Sequence, residues 1–253
     1  MHFKLIMLLS AVALNVNAEP VSKFVNAKNS GEYFEMQGAT VLTSELIPVE
    51  QLKNYQISGS FKNPQGVSVT LFFGIASFDA NKKEISVISV SAIKGTDTVL
   101  AEDCTPEDKI IKVKDASAWK TDGISNVAFE TDPEFKDLPN YNYTISNIES
   151  ISRQGNIWEI KLKEACGRDY LAGTAIRQHY NGNTFVYPVI SKLAPNSEWI
   201  KLEGTIKQSS KKITPPYNIE YLRQGSAFVK ITITAAPSNK LLFKDIDFTL
   251  KNN

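Results

Sequence analysis

Between residues 55 and 60 apolar and polar positions alternate strictly, Tyr55, Ile57 and Gly59 against Gln56, Ser58 and Ser60. A period of two marks a β-strand with one face buried. Asn63-Pro64-Gln65-Gly66 then carries turn chemistry, because proline fixes φ and glycine accepts positive φ. Residues 67–78 are dense in β-branched and aromatic side chains, which favour strands. Asp79-Ala80-Asn81-Lys82 interrupts them. Strand, tight turn, longer apolar strand and polar turn predict the middle of an antiparallel sandwich.

The rest of the chain reads in the same way. Residues 19–30 are a polar lead-in, 31–36 a first strand that 39–47 continue, and 84–93 (EISVISVSAI) a further β-rich run. No 3.6-residue stripe appears in this half. The texture changes near Gly95. Short strands follow around residues 109–113, 126–130, 148–151, 157–162 and 172–179, separated by frequent turns, and Trp119 and Trp158 sit in apolar settings that predict core positions. Arg153-Gln154-Gly155-Asn156 is a hairpin signal. From Pro188 the first texture returns, with strands over 198–206, 227–234 and 241–250. Alternation in the last is broken at Leu241-Leu242-Phe243, so its inward face is not assigned. The pattern predicts an all-β protein whose central stretch is a small β-barrel-like unit.

The N-terminus changes the setting of this fold. Lys4 precedes an apolar run over residues 5–14, too short to cross a bilayer. Small residues at Val16 and Ala18 place a signal-peptide cut after Ala18. The expected location is secreted or periplasmic, with no membrane span. Loss of Lys4 from the 28 basic residues leaves them balanced against 27 acidic ones. The charges are interspersed, which argues against nucleic acid or an anionic membrane as partner. Two cysteines, Cys104 and Cys166, are compatible with one disulfide or with two separate thiols.

Three motifs carry a resemblance. Residues 55–62 are similar to the second major strand of β-jelly-roll carbohydrate-binding modules of the galactose-binding-like type. Residues 73–85 resemble their G-x-x-x-[YF]-D-x-x-x-x-x-I hairpin, and residues 243–250 their closing strand. The interrupting stretch of about ninety residues is long for a loop. The resemblance therefore implies a discontinuous jelly-roll β-sandwich, residues 19–95 and 188–253, with an inserted β domain over 96–187. Pieces of that insert look like segments of exported bacterial or phage-tail proteins. Modules of this type often hold one structural Ca²⁺ between first and last strands, where Glu32, Glu35, Asp245 and Asp247 stand. Oxygen donors of that kind suit a hard cation.

The chemistry follows from what is present. His179 is the sole imidazole beyond residue 18, so every nucleophile–histidine scheme must use it. No Gly-x-Ser-x-Gly elbow occurs. Sugars are recognised by flat aromatic faces together with planar hydrogen-bonding groups. Tyr180, Tyr187, Trp199 and Tyr217 are the candidate platforms, with Arg177, His179 and Asn181 as polar partners. The expected function is non-catalytic binding of a polysaccharide or cell-surface glycan. The alternatives are a polysaccharide lyase or glycoside hydrolase using Arg177, His179 and Tyr180 or a carboxylate pair, and a structural, adhesin-like surface protein.

Overall fold

The computed structural model describes residues 21, 23–183, 185–209, 220–237 and 240–251. The expected signal peptide and Tyr217 lie outside the described residues. The chain opens with β1 (Phe24–Val25), β2 (Ala27–Asn29), β3 (Phe34–Met36), β4 (Thr40–Thr43), β5 (Ile47–Pro48), β6 (Tyr55–Lys62) and β7 (Val69–Phe78). One helical turn, α1 (Val87–Val90), precedes β8 (Thr98–Val99), β9 (Ile110–Val113), β10 (Ser125–Phe129), β11 (Ile148–Gln154), β12 (Ile157–Leu162) and β13 (Ala175–Tyr180). The chain closes with β14 (Val186–Leu193), β15 (Ile200–Ile206), β16 (Phe228–Ala236) and β17 (Leu242–Leu250).

Two large antiparallel sheets form a sandwich. One has the order β1-β4-β16-β7-β14, with β5 added to β16, and the other β15-β6-β17-β3-β2. Early strands thus pair with late ones: β7 lies between β14 and β16, and β6 between β15 and β17. Strict alternation in β6 buries Tyr55, Ile57, Gly59 and Phe61. Tyr55, Ile57 and Phe61 join Phe243 and Phe248 of neighbouring β17 and, from the opposite sheet, Leu71, Phe73, Ile75, Ile231 and Ile233 in a single apolar cluster. Phe61 meets Phe73 edge-on at 4.9 Å, and Tyr55 stacks on Phe248 at 5.0 Å, geometries that aromatic quadrupoles favour.

Two glycines allow close approaches that no other residue tolerates. At Gly74 a Cβ would overlap the Val186 carbonyl, where a bulge in β14 crosses β7. At Gly204 it would stand 2.7 Å from Val189, where β14 and β15 bring the sheet edges together.

Residues between β7 and β14 make two smaller sheets, β10-β13-β8 and β11-β12-β9, around their own cluster of Leu100, Ile111, Val113, Trp119, Phe129, Ile160 and Ile176. A bridge between Leu100 and Val113 joins them on one side. Among the described residues no ladder closes the other side, so the barrel-like expectation is corrected to two open three-stranded sheets.

Other differences have local causes. Residues 34–36 and 40–43 form no continuous strand, because the chain crosses at 37–39 from one large sheet to the other. Residues 84–93 hold α1 instead of a strand; Ile85, Val87 and Ile88 are buried there, and an Ala92–His179 bridge ties the segment to β13. In β17 a bulge between Lys244 and Asp247 resets the alternation, and Asp245 takes a left-handed φ of 52° there.

Candidate functional site

Arg177 and His179 lie two apart on β13, and both are completely buried. The Arg177 guanidinium donates to His179 Nε2 at 3.2 and 3.1 Å, to Asp137 Oδ2 at 2.9 Å and to the Asp132 carbonyl at 3.0 Å. It approaches Asp97 at 3.5 Å and lies over the Phe135 ring at 4.7 Å. Arginine only donates, so Nε2 accepts and the imidazole proton sits on Nδ1. From there it bonds the Ile88 carbonyl at 2.6 Å. Burial drives the His179 pKa down to about 4, with the adjacent Arg177 charge acting in the same direction. The ring is neutral and fully engaged.

This geometry corrects the expectation for these side chains. Neither Arg177 nor His179 exposes an atom to a sugar or a scissile bond. They tie α1, β13 and the 131–140 loop together as an internal network. Tyr180 is also buried. Asn181 is half-buried, and its N–H donates to the Ile124 carbonyl at 3.1 Å. Tyr187 is buried as well, its hydroxyl 3.0 Å from Thr234 Oγ1 and its ring tilted against Phe72 at 5.4 Å. Of the predicted platforms in the described residues, Trp199 alone is not buried.

Trp199 stands at the start of edge strand β15, half-exposed. Tyr33 lies beside it with ring centroids 6.2 Å apart and planes at 53°. The Lys244 ammonium sits 4.8 Å from the Trp199 ring centre, within cation–π range. Lys62 reaches Glu198 at 3.5 Å at the same end of the sheet.

Beyond this aromatic pair the outward positions of three neighbouring strands fall into ranks. Register aligns Lys201, Ser60 and Lys244 across β15, β6 and β17, then Glu203, Ser58 and Asp247, then Thr205, Gln56 and Thr249. Asp245, at the bulge, accepts from Ser60 Oγ at 3.2 Å. The arrangement offers donors and acceptors of both signs on a flat face, with an aromatic surface at one end.

The carboxylates expected to hold calcium do not converge. Among the described residues no group of three or more His, Cys, Asp or Glu side chains is arranged to hold a metal ion. Glu32 is exposed, Glu35 lies across from Leu242, and Asp247 belongs to the second polar rank. Asp245, itself left-handed at the bulge, accepts from Ser60, while Asp247 pairs across from Ser58.

A concavity of about 520 Å³ lies on the other large sheet, lined by Ser44, Glu45, Leu46, Phe78, Lys82, Phe228 and Lys230. None of the residues singled out from the sequence lines it. Tyr33 and Lys244 are not among the residues the sequence pattern singles out. The usable signal was the Tyr33-Phe34 pair, since adjacent aromatics in a strand must face opposite ways.

Comparison of the chain with protein-family models, with curated proteins and with solved structures finds no match in any of the three.

Proposed function

We propose that this chain is an exported, non-catalytic glycan-binding protein of the jelly-roll carbohydrate-binding-module type. One observation carries the reading: a half-exposed Trp199–Tyr33 pair abuts three ranks of Ser, Thr, Gln, Lys, Glu and Asp on one sheet face. Pyranose rings present C–H patches to aromatic faces and hydroxyls to mixed donors and acceptors. Such a face meets both needs without presenting a strong net charge. The reading treats residues 19–95 and 188–253 as one jelly-roll unit with 96–187 inserted; the pairing of β6 and β7 with late strands supports that division. Export follows from the N-terminal pattern over residues 1–18.

A glycan array with the full chain tests the proposal. Trp199→Ala and Tyr33→Ala are each expected to weaken binding about tenfold while the melting temperature stays within ~2 °C. Wild-type affinity in both variants eliminates the platform, and no binding to any glycan eliminates the function. Release of reducing ends or unsaturated products from the polysaccharides would instead establish the enzyme alternative.

A further inference from the structure

Cys104 and Cys166 lie away from the proposed glycan face, at an edge of the two smaller sheets. Cys104 N–H donates to the Tyr170 carbonyl and Tyr170 N–H to the Cys104 carbonyl, both at 2.8 Å. Next along the same pair of segments, Gly167 N–H donates to the Pro106 carbonyl at 2.8 Å and Cys166 N–H to the Asp108 carbonyl at 2.7 Å. Residues 104–108 and 166–170 therefore run antiparallel and tightly tied. Both thiols are buried and turn into the same cluster as Leu100, Ile111 and Leu162. Both thiols are free, and Cys104 Sγ donates to the Thr105 carbonyl at 3.7 Å. Each sulfur perturbs the other, raising the pKa of Cys104 and lowering that of Cys166. Segments tied this closely, with both side chains in one cluster, bring the two sulfurs near enough that a bridge needs little backbone movement.

We propose that Cys104 and Cys166 are a built oxidation site, joined by thiol–disulfide exchange with a disulfide-bearing oxidant into a bond that closes the chain around β9 to β12. The thiolate of one cysteine attacks one sulfur of the oxidant's disulfide, forming a mixed disulfide and releasing the first oxidant thiol. The other cysteine, deprotonated, then attacks that protein sulfur and expels the second. Two electrons and two protons leave the protein, and the oxidant departs as two thiols. A thiolate is the reactive form in exchange. The step precedes docking of residues 166–170, since burial closes both sulfurs to an oxidant afterwards.

The full chain, refolded from denaturant in reduced and oxidised glutathione and then alkylated under denaturing conditions, tests this by mass. The expected result is no alkylated cysteine before reduction, two after it, and a Cys104–Cys166 cross-linked peptide in the unreduced digest. Reduction is expected to lower the melting temperature on the order of 10 °C. Quantitative alkylation of both cysteines in the unreduced wild type overturns the bond.

Discussion

The two large sheets and the segment carried between β7 and β14 solve the same burial problem in opposite ways. In the sandwich, long strands bury aromatic and branched side chains in one apolar cluster, and backbone ladders satisfy the peptide groups. In the central segment strands are short, and most of the buried polar residues collect there, from Thr96 and Ser125 through Arg177, Gln178 and His179. Side chains replace missing rungs. Asn126 donates to the Thr144 and Ser146 carbonyls, Asn140 to Phe129, and Trp119 Nε1 to Thr96. Gln178 exchanges two bonds with the Lys120 backbone. Loops that are buried must pair their peptide groups somewhere, and side-chain amides supply the partners where strands do not.

The difference predicts unlike sensitivities. The largest effect is expected in the sandwich, where Gly74→Ala places a methyl on the Val186 carbonyl. The two backbones must separate, destabilising the fold by at least about 3 kcal/mol. Chemical denaturation measures it, and a loss under about 1 kcal/mol would break the view that the sandwich depends on this close crossing.

Next comes the central network. Arg177→Met removes a buried cation and leaves Asp137 and His179 without their partner, a loss of about 3 kcal/mol or more. Near-neutral behaviour in the same denaturation experiment would mean that the central segment, like the sandwich, rests on apolar burial alone.

The smallest is the pH response. His179 takes up a proton less readily folded than unfolded, so its contribution is whole above its unfolded value near 6.5. It is withdrawn as pH falls from there toward about 4, the folded value. Across that window wild type should lose roughly 3 kcal/mol relative to His179→Gln. Parallel stability–pH curves for the two proteins would place the acid response outside the Arg177–His179–Asp137 network.

Legibility in the sequence divides along the same line. Alternation in residues 55–60 placed those side chains of β6 on their observed faces, because one buried side forces a period of two. The Gln154–Ile157 hairpin was equally plain from Gly155, which adopts a φ of 61°. Arg177 and His179 misled for a physical reason. Polar residues in a strand read as solvated or functional, whereas β13 is covered on both faces and its polar groups pair internally. Tyr187 misled similarly, because the β14 bulge turns it onto Thr234 and Phe72. Tyr33 and Lys244 escaped notice because their neighbour, Trp199, lies far away along the chain.

Fold class and the alternation of the long strands are written in local order, since neighbouring residues alone decide which side of a strand meets water. Strand partners, the burial of Arg177 and the meeting of Trp199 with Tyr33 follow from cross-chain register, which no local window contains. Those pairings depend on which apolar faces find one another once the whole chain has collapsed.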